Sequence, residues 1–137
     1  MLILIAIPIL IESDNYPLNN RTFSEVRERI NTPDGDFLDL DFVSFKAQDE
    51  SVTSKCTAKK ATVVILHGLE SNTKGPLVTK MTNAFLSKGF SCCLVSFRGC
   101  SGEDNLTRGA YHVGFTKDVD LVCKTLQERY LNLLQLD

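Results

Sequence analysis

The spacing of apolar residues in the first third of the chain predicts two strands joined by a tight turn. Residues 22–30 alternate weakly between polar and apolar positions, and Leu38 to Phe42 alternate clearly with Asp39 and Asp41. Pro33-Asp34-Gly35 lies between them, and this combination favours a turn because Pro fixes φ and Gly tolerates positive φ. We therefore expect an antiparallel hairpin whose second strand is half-buried, with both aspartates on its wet face.

Two later apolar runs have no alternation, as is typical of strands buried on both faces of a parallel sheet. They are Val63–Leu66 and Phe90–Phe97. A helix is predicted between them, beginning at Gly75-Pro76 and ending near Lys88-Gly89. Its apolar face is predicted to contain Leu77, Met81, Ala84 and Phe85.

A second amphipathic helix is predicted to begin at Thr116 and to end near Tyr130. Its apolar positions recur every three to four residues, at Val119, Val122 and Leu126. Residues 131–137 are predicted to begin another strand. The order of elements favours an α/β domain over residues 21–137, with a mixed sheet that is antiparallel at its start and parallel afterwards.

Residues 1–20 form a separate segment, an apolar start followed by a polar linker. The start, MLILIAIPILI, is too short to cross a bilayer as a helix, and it lacks the basic residues and cleavage site of a secretory signal. Three interpretations stay open: a membrane contact, a partly buried terminal segment, or the remnant of a longer leader.

Charge and cysteine content argue against several classes of function. Fifteen basic residues against seventeen acidic ones give a net charge of -2, without the basic stripe expected of a nucleic-acid-binding protein. The five cysteines are odd in number and include no CxxC pair, so we expect buried thiols in a reducing compartment, and neither a metal nor a cofactor. Which compartment, and whether it includes a membrane surface, stays open.

His67-Gly68-Leu69 directly follows the first buried strand, where ligands of α/β sheets bind. One interpretation is an oxyanion-hole segment, in which a backbone N–H, here that of Leu69, stabilises the negative oxygen of an acyl-transfer intermediate. The other is a tight strand-to-helix turn without a ligand.

Three longer segments resemble a known family. RERINTPDGDFLDLDF, ILHGLESNTKGPLV and KGFSCCLVSFRGCSGEDNLTRGAYHVGFTKDVDLV are similar to the YheT-type branch of the α/β-hydrolase superfamily, from about Arg27 to Tyr130. This branch includes plant embryogenesis-associated proteins and animal membrane-anchored lipid esterases. The resemblance implies the N-terminal part of an α/β-hydrolase fold and a carboxylic-ester or lipid substrate in full-length relatives.

The resemblance also implies a Ser-Asp-His triad with its serine in a Gly-Phe-Ser-Leu-Gly-Gly elbow after the second helix. The chain reads LNLLQLD at that point and contains no such elbow. We therefore expect a truncated family member that carries the oxyanion-hole segment His67, Gly68 and Leu69, has no catalytic triad, and is inactive alone.

Other candidate residues have structural interpretations. Ser101 lies in GCSGE, where Glu103 replaces the second glycine of a G-x-S-x-G elbow, and is expected to be a loop serine. His67 is expected to organise its turn and not to act as a base. His112 is expected to be structural, and Arg98 to anchor its loop to a carboxylate. A cysteine or metal enzyme using Cys93 or Cys100 is a third hypothesis, without a visible base.

A non-catalytic module is the alternative function, pairing with a full-length relative or with a membrane through the apolar start. Truncation has a physical consequence in either case. In the hydrolase fold the strand before His67 lies between two neighbours, and one of them would be missing. We therefore expect this strand at or near a sheet edge, and a chain that is marginally stable or insoluble.

Overall fold

The computed structural model describes residues 3–5, 23–45, 62–69, 71–108 and 116–134. Five strands and two helices follow one another in these residues: β1 Ile3–Ile5, β2 Phe23–Asn31, β3 Phe37–Phe45, β4 Thr62–Leu66, α1 Pro76–Ser87, β5 Ser91–Ser96 and α2 Thr116–Leu134. The expected linker at 12–20, the expected loop at 46–60 and His112 lie outside the described residues.

The predicted hairpin is present. β2 and β3 pair antiparallel, from Phe23 opposite Phe45 to Asn31 opposite Phe37. The turn between them is closed by backbone hydrogen bonds between Thr32 and Asp36, with the N–H of Thr32 2.8 Å from the carbonyl oxygen of Asp36. Gly35 has a φ of 82°, a conformation that glycine adopts without strain.

The strand–helix units are also present, and the sheet is mixed as predicted. β4 and β5 are parallel neighbours, and β3 pairs antiparallel with the other side of β5. The full strand order is β1-β4-β5-β3-β2. β4 and β5 therefore lie inside the sheet, and the hairpin forms one side of it.

The structure places a short strand on the side of β4 where a neighbour was expected to be missing, so β4 lies near the edge of the sheet but not at it. Ile3–Ile5 form the short strand β1, which pairs parallel with β4 and places Leu4 opposite Val64. Among the three open interpretations of the N-terminal start, these residues therefore fit a terminal segment that is part of the fold. No helix in the described ranges has the length and apolar character needed to cross a membrane.

The two helices cover opposite faces of the sheet. α1 packs through Val78, Met81 and Leu86 on the face that includes Ile65 and Cys92. α2 packs through Val122 and Leu126 on the face that includes Leu40 and Cys93. Because consecutive strand residues point to opposite faces, the adjacent cysteines belong to different core clusters.

Two details of the helices differ from the predictions. Leu77 was assigned to the buried face of α1 but is 46% exposed, whereas its neighbour Val78 is buried, so the helix is rotated by about one residue. The strand predicted at residues 131–137 is wrong where the structure describes it, because α2 continues to Leu134. Apolar residues at 131, 133 and 134 fit either element, and local pattern does not separate them.

The wet face predicted for β3 is also wrong. Asp39 and Asp41 are each 1% exposed and lie on the α1 side of the sheet, opposite Ser96 and Leu94 of β5. Burying a carboxylate is costly unless it is paired and hydrogen-bonded. The partners that make this burial tolerable belong to the candidate functional site.

Candidate functional site

His67 ends β4 and organises the turn that follows. Its imidazole is 4% exposed and stacks edge-on against Phe97, with ring centroids 5.0 Å apart. The backbone N–H of Phe97 donates to Nε2 at 3.2 Å, so the proton must lie on Nδ1, which donates to the carbonyl oxygen of Gly68 at 2.9 Å. Both ring nitrogens therefore hold backbone in place.

This environment keeps His67 neutral. Burial lowers the pKa of the imidazole, and the hydrogen bond to Gly68 opposes the shift only in part. A protonated ring would place an N–H against the donor of Phe97. The geometry agrees with the interpretation of His67 as a turn-organising residue and gives it no free lone pair for general-base work.

Gly68 and Leu69 are exposed, directly beyond the carboxyl end of a buried parallel strand. The Leu69 side chain is 59% exposed, and a Cβ added at Gly68 would meet no atom within 4 Å. A ligand can thus approach this backbone from solvent. The role of the Leu69 N–H as an oxyanion donor stays a prediction.

Arg98, at the end of β5, is the centre of a buried ionic cluster. It is 5% exposed, and its guanidinium forms two-point contacts with Asp118, at 2.8 and 2.9 Å, and with Asp34, at 2.6 and 3.0 Å. A third carboxylate, Asp36, lies 3.4 Å from Nη1. The prediction that Arg98 anchors its loop to a carboxylate is confirmed, with three carboxylates in place of one.

The cluster joins three elements that are far apart in sequence. Asp34 and Asp36 belong to the β2–β3 turn, and Asp118 lies in the first turn of α2. Asp36 also accepts from the hydroxyl of Thr107 at 2.6 Å and the amide of Asn105 at 2.7 Å, so it fixes the loop after β5. The Arg98 cluster therefore holds the turn, the loop and the helix to one another.

Two carboxylates of the Arg98 cluster, Asp34 and Asp36, have lowered pKa values and are ionised at neutral pH. Hydrogen bonds from Arg98 and Thr32 lower the pKa of Asp34 to about 2. Burial alone would raise the pKa of Asp36, but donors from Thr107, Asn105 and the Leu106 backbone outweigh it and hold that pKa well below its usual range. Conversely, the hydrogen bonds to Asp118 and Asp34 raise the pKa of Arg98.

A second set of ion pairs accounts for the buried aspartates of β3. Arg27 contacts Asp41 at 2.6 and 2.9 Å, and Arg29 contacts Asp39 at 2.7 and 2.8 Å, each as a fork against a carboxylate. Arg29 lowers the pKa of Asp39. Burial would raise the pKa of Asp41, but Arg27 and Thr73 overcome it.

These pairs also reach the loops that flank His67. The Thr73 hydroxyl, before α1, donates to Asp41 at 2.9 Å. Arg27 donates to the carbonyl oxygen of Ser101 at 3.1 Å, and Arg29 lies 3.0 Å from the carboxylate of Glu103. The loop after β4 and the loop after β5 are thus both attached to charges on the hairpin.

The sequence carried a signal for these pairs that the alternation pattern missed. Arg27 and Asp41 are equally distant from Asp34, as are Arg29 and Asp39, so a hairpin turning there places each pair opposite one another. Opposite charges in cross-strand positions stabilise each other. This symmetric spacing of opposite charges about the turn predicts that the aspartates face arginines and not water.

The remaining sequence candidates do not form a nucleophile. Ser101 lies in the loop after β5, as predicted, where its carbonyl accepts from Arg27. Burial raises the pKa of the Cys93 thiol to about 12 and raises that of Cys100, which leaves neither as a thiolate at neutral pH. Within the described ranges, no group of three potential ligands could hold a metal ion.

Comparison with known proteins gives two relatives. The chain is 32% identical over 108 residues to YheT of Escherichia coli strain K12, which is named a putative esterase, and the match covers 79% of this chain and 29% of that protein. It is 27% identical over 103 residues to human phospholipase ABHD3, covering 75% and 24% respectively. The chain thus spans less than a third of either relative's length. No family model matches the chain. No solved structure matches it either.

Replacing Arg98 should destabilise the fold strongly. Arg98→Met keeps most of the side-chain volume but leaves Asp36 and Asp118 buried without their cation, so we expect a loss of about 3–5 kcal/mol in the free energy of unfolding. Arg108→Met removes the charge of an exposed arginine in the same loop and should change it by less than about 0.5 kcal/mol. Urea unfolding of both variants measures this, and a loss below about 1 kcal/mol for Arg98→Met would contradict it.

Acid should weaken the fold through the same cluster. The folded-state pKa of Asp34, about 2, lies below its ordinary value of 3.8, so its contribution is present above about pH 4 and is lost as the pH falls through 2. We expect the urea midpoint of the unsubstituted chain to fall over this interval, and that of Asp34→Asn to fall less steeply. For Asp104→Asn, a change outside the cluster, the urea midpoint should fall with pH as steeply as it does for the unsubstituted chain. Equal slopes for all three proteins would refute the assignment.

Proposed function

The chain is related to the α/β-hydrolase superfamily, and on this basis we propose that it supplies the oxyanion side of a site that hydrolyses carboxylic esters. The observation that supports the proposal is the exposed backbone of Gly68 and Leu69 at the end of the buried strand β4. An oxyanion donor must be accessible to substrate and must not reorganise as charge develops.

The turn after β4 is held rigidly, which favours the role of the Leu69 N–H as an oxyanion donor. One ring nitrogen of His67 binds the carbonyl oxygen of Gly68, and the other accepts from the backbone N–H of Phe97 after β5. Thr73 ties the loop after β4 to Asp41. A backbone N–H held in this way is already ordered before the reaction, so no free energy is lost in ordering it when the tetrahedral intermediate forms. Such a donor is worth about 2.7–4 kcal/mol in transition-state stabilisation where one has been removed.

The substrate class follows from the relatives and from the surface near the turn. One relative is an esterase and the other a phospholipase, and both names describe hydrolysis of ester bonds. Leu69 and Leu106, 59% and 75% exposed, lie on the two loops that follow parallel strands. Apolar side chains at this end of the sheet suit an acyl chain, and we propose an acylglycerol, a phospholipid or a short-chain ester as substrate.

The 137 residues contain no G-x-S-x-G sequence, the elbow that carries the nucleophilic serine of α/β-hydrolases. The most similar sequence is GCSGE, which contains Ser101. This serine lies in a loop whose backbone accepts a hydrogen bond from Arg27. We propose that this sequence alone does not hydrolyse esters, and that catalysis requires a serine supplied by a polypeptide segment outside it.

The purified chain should not turn over a chromogenic short-chain ester above the buffer rate, and a fluorophosphonate probe should not label it. Ser101→Ala and Cys100→Ala should give the same background as the unsubstituted chain. Turnover that the probe abolishes would show a nucleophile among these residues and would overturn this part of the proposal.

The oxyanion role is tested in a chimaera with a complete site. Residues 62–76 replace the matching segment of the YheT esterase, and ester hydrolysis is measured with and without Gly68→Val. A branched side chain at this open position should block access to the Leu69 N–H and reduce kcat by about 10²–10³-fold. Lys74→Ala, an exposed change in the same segment, is the control. An active chimaera that Gly68→Val leaves unchanged would reject the role.

A further inference from the structure

The two outermost strands of the described sheet differ in how many charged residues they carry, and such charges discourage pairing with another chain. β2 carries four charged residues in its nine positions, and charges on an edge strand discourage edge-to-edge association. β1 reads Ile-Leu-Ile and carries none. The sequence of β1 thus contains no charge that would discourage association with another chain.

β1 covers only part of the strand beside it. It pairs with Val63, Val64 and Ile65, while β4 extends from Thr62 to Leu66. The three paired residues of β4 are almost fully buried, at 0–1% exposure. The outer edge of β4 is thus a place where an extended apolar segment of chain gains both backbone hydrogen bonds and burial.

The connection to β1 does not compel it to pair within its own molecule. β1 and β2 lie at opposite ends of the sheet, four strand spacings or about 19 Å apart. Seventeen residues, 6–22, separate them in sequence, and a chain of this length spans at most about 60 Å when extended. The same connection therefore reaches the β4 edge of an adjacent molecule.

We propose that the outer edge of β4 is a strand-acceptor site, and that the N-terminal segment of a second copy of this chain enters it to form a strand-exchanged dimer. The exchanged pair makes the same contacts as the closed monomer, so the balance between them depends on protein concentration. An occupant tethered to its own molecule competes at an effective concentration on the order of 1 mM, and the dimer should become significant as the protein approaches that range.

Disulfide trapping identifies the exchange directly. Ile5 and Ile65 are cross-strand partners, so Ile5→Cys in one molecule and Ile65→Cys in another can be joined only if the segment of the first molecule lies on β4 of the second. The two variants are mixed at about 0.5 mM, oxidised and mapped by mass spectrometry. We expect a covalent dimer linked between positions 5 and 65, with its yield decreasing at least about fivefold when the mixture is diluted tenfold.

A backbone variant shows whether any dimer depends on β1. Consecutive N–H groups of a strand point to opposite edges, so the double variant Leu4→Pro, Ile5→Pro removes one donor that faces β4 whichever way the strand is turned. We expect it to stay monomeric by light scattering where the unsubstituted chain dimerises. We also expect amide exchange in residues 63–65 at least about tenfold faster than in the unsubstituted chain. Leu4→Val, Ile5→Val is the control and should behave as the unsubstituted chain.

Three results would overturn the proposal: no linkage between positions 5 and 65 at 0.5 mM, a dimer that the proline variant retains, or unchanged amide exchange in residues 63–65. None of these outcomes depends on ester hydrolysis, so they leave the proposed function to its own tests.

Discussion

The buried guanidinium of Arg98 is the constraint on which the arrangement of loops depends. It lies at the end of β5, where two parallel strands deliver the chain to the same edge, and it binds carboxylates from a turn and from a helix. A five-donor planar cation suits this task, because it satisfies several carboxylates at fixed angles, which a lysine ammonium cannot do. Without it, Asp36 and Asp118 would be buried without the cation that they share.

Ion pairs between the two strands of the hairpin hold the loops of the candidate site in a similar way. Asp39 and Asp41 are buried under the loops and neutralised by arginines from the neighbouring strand, and the same arginines and Thr73 hold the loops. The apolar sheet thus provides the platform, while ionic groups at one end fix the irregular backbone. His67 completes the arrangement with a neutral ring, which is the form that can bridge a backbone donor and a backbone acceptor at once.

The sequence predicted those parts of the fold that depend on local pattern. Residues 33–35 define the turn, the runs at 63–66 and 90–97 define buried strands, and the boundaries of α1 follow from Pro76 and Gly89. What it missed depends on partners distant in sequence: the burial of Asp39 against Arg29, the rotation of α1 that exposes Leu77, and the pairing of β1. Of the candidate site, the anchoring role of Arg98 was predicted and is observed, whereas the donor role of Leu69 depends on a substrate and stays a prediction.

The pairing of β1 with β4 also has a consequence for the order of events during synthesis. Leu4 leaves the ribosome sixty residues before its partner Val64. At 5–20 residues per second, this interval is about 3–12 seconds. For that time an uncharged apolar segment has no native partner, which is long compared with the microseconds in which a hairpin forms. Residues 3–5 are thus made well before residues 63–65, and they have no native strand neighbour until β4 has emerged.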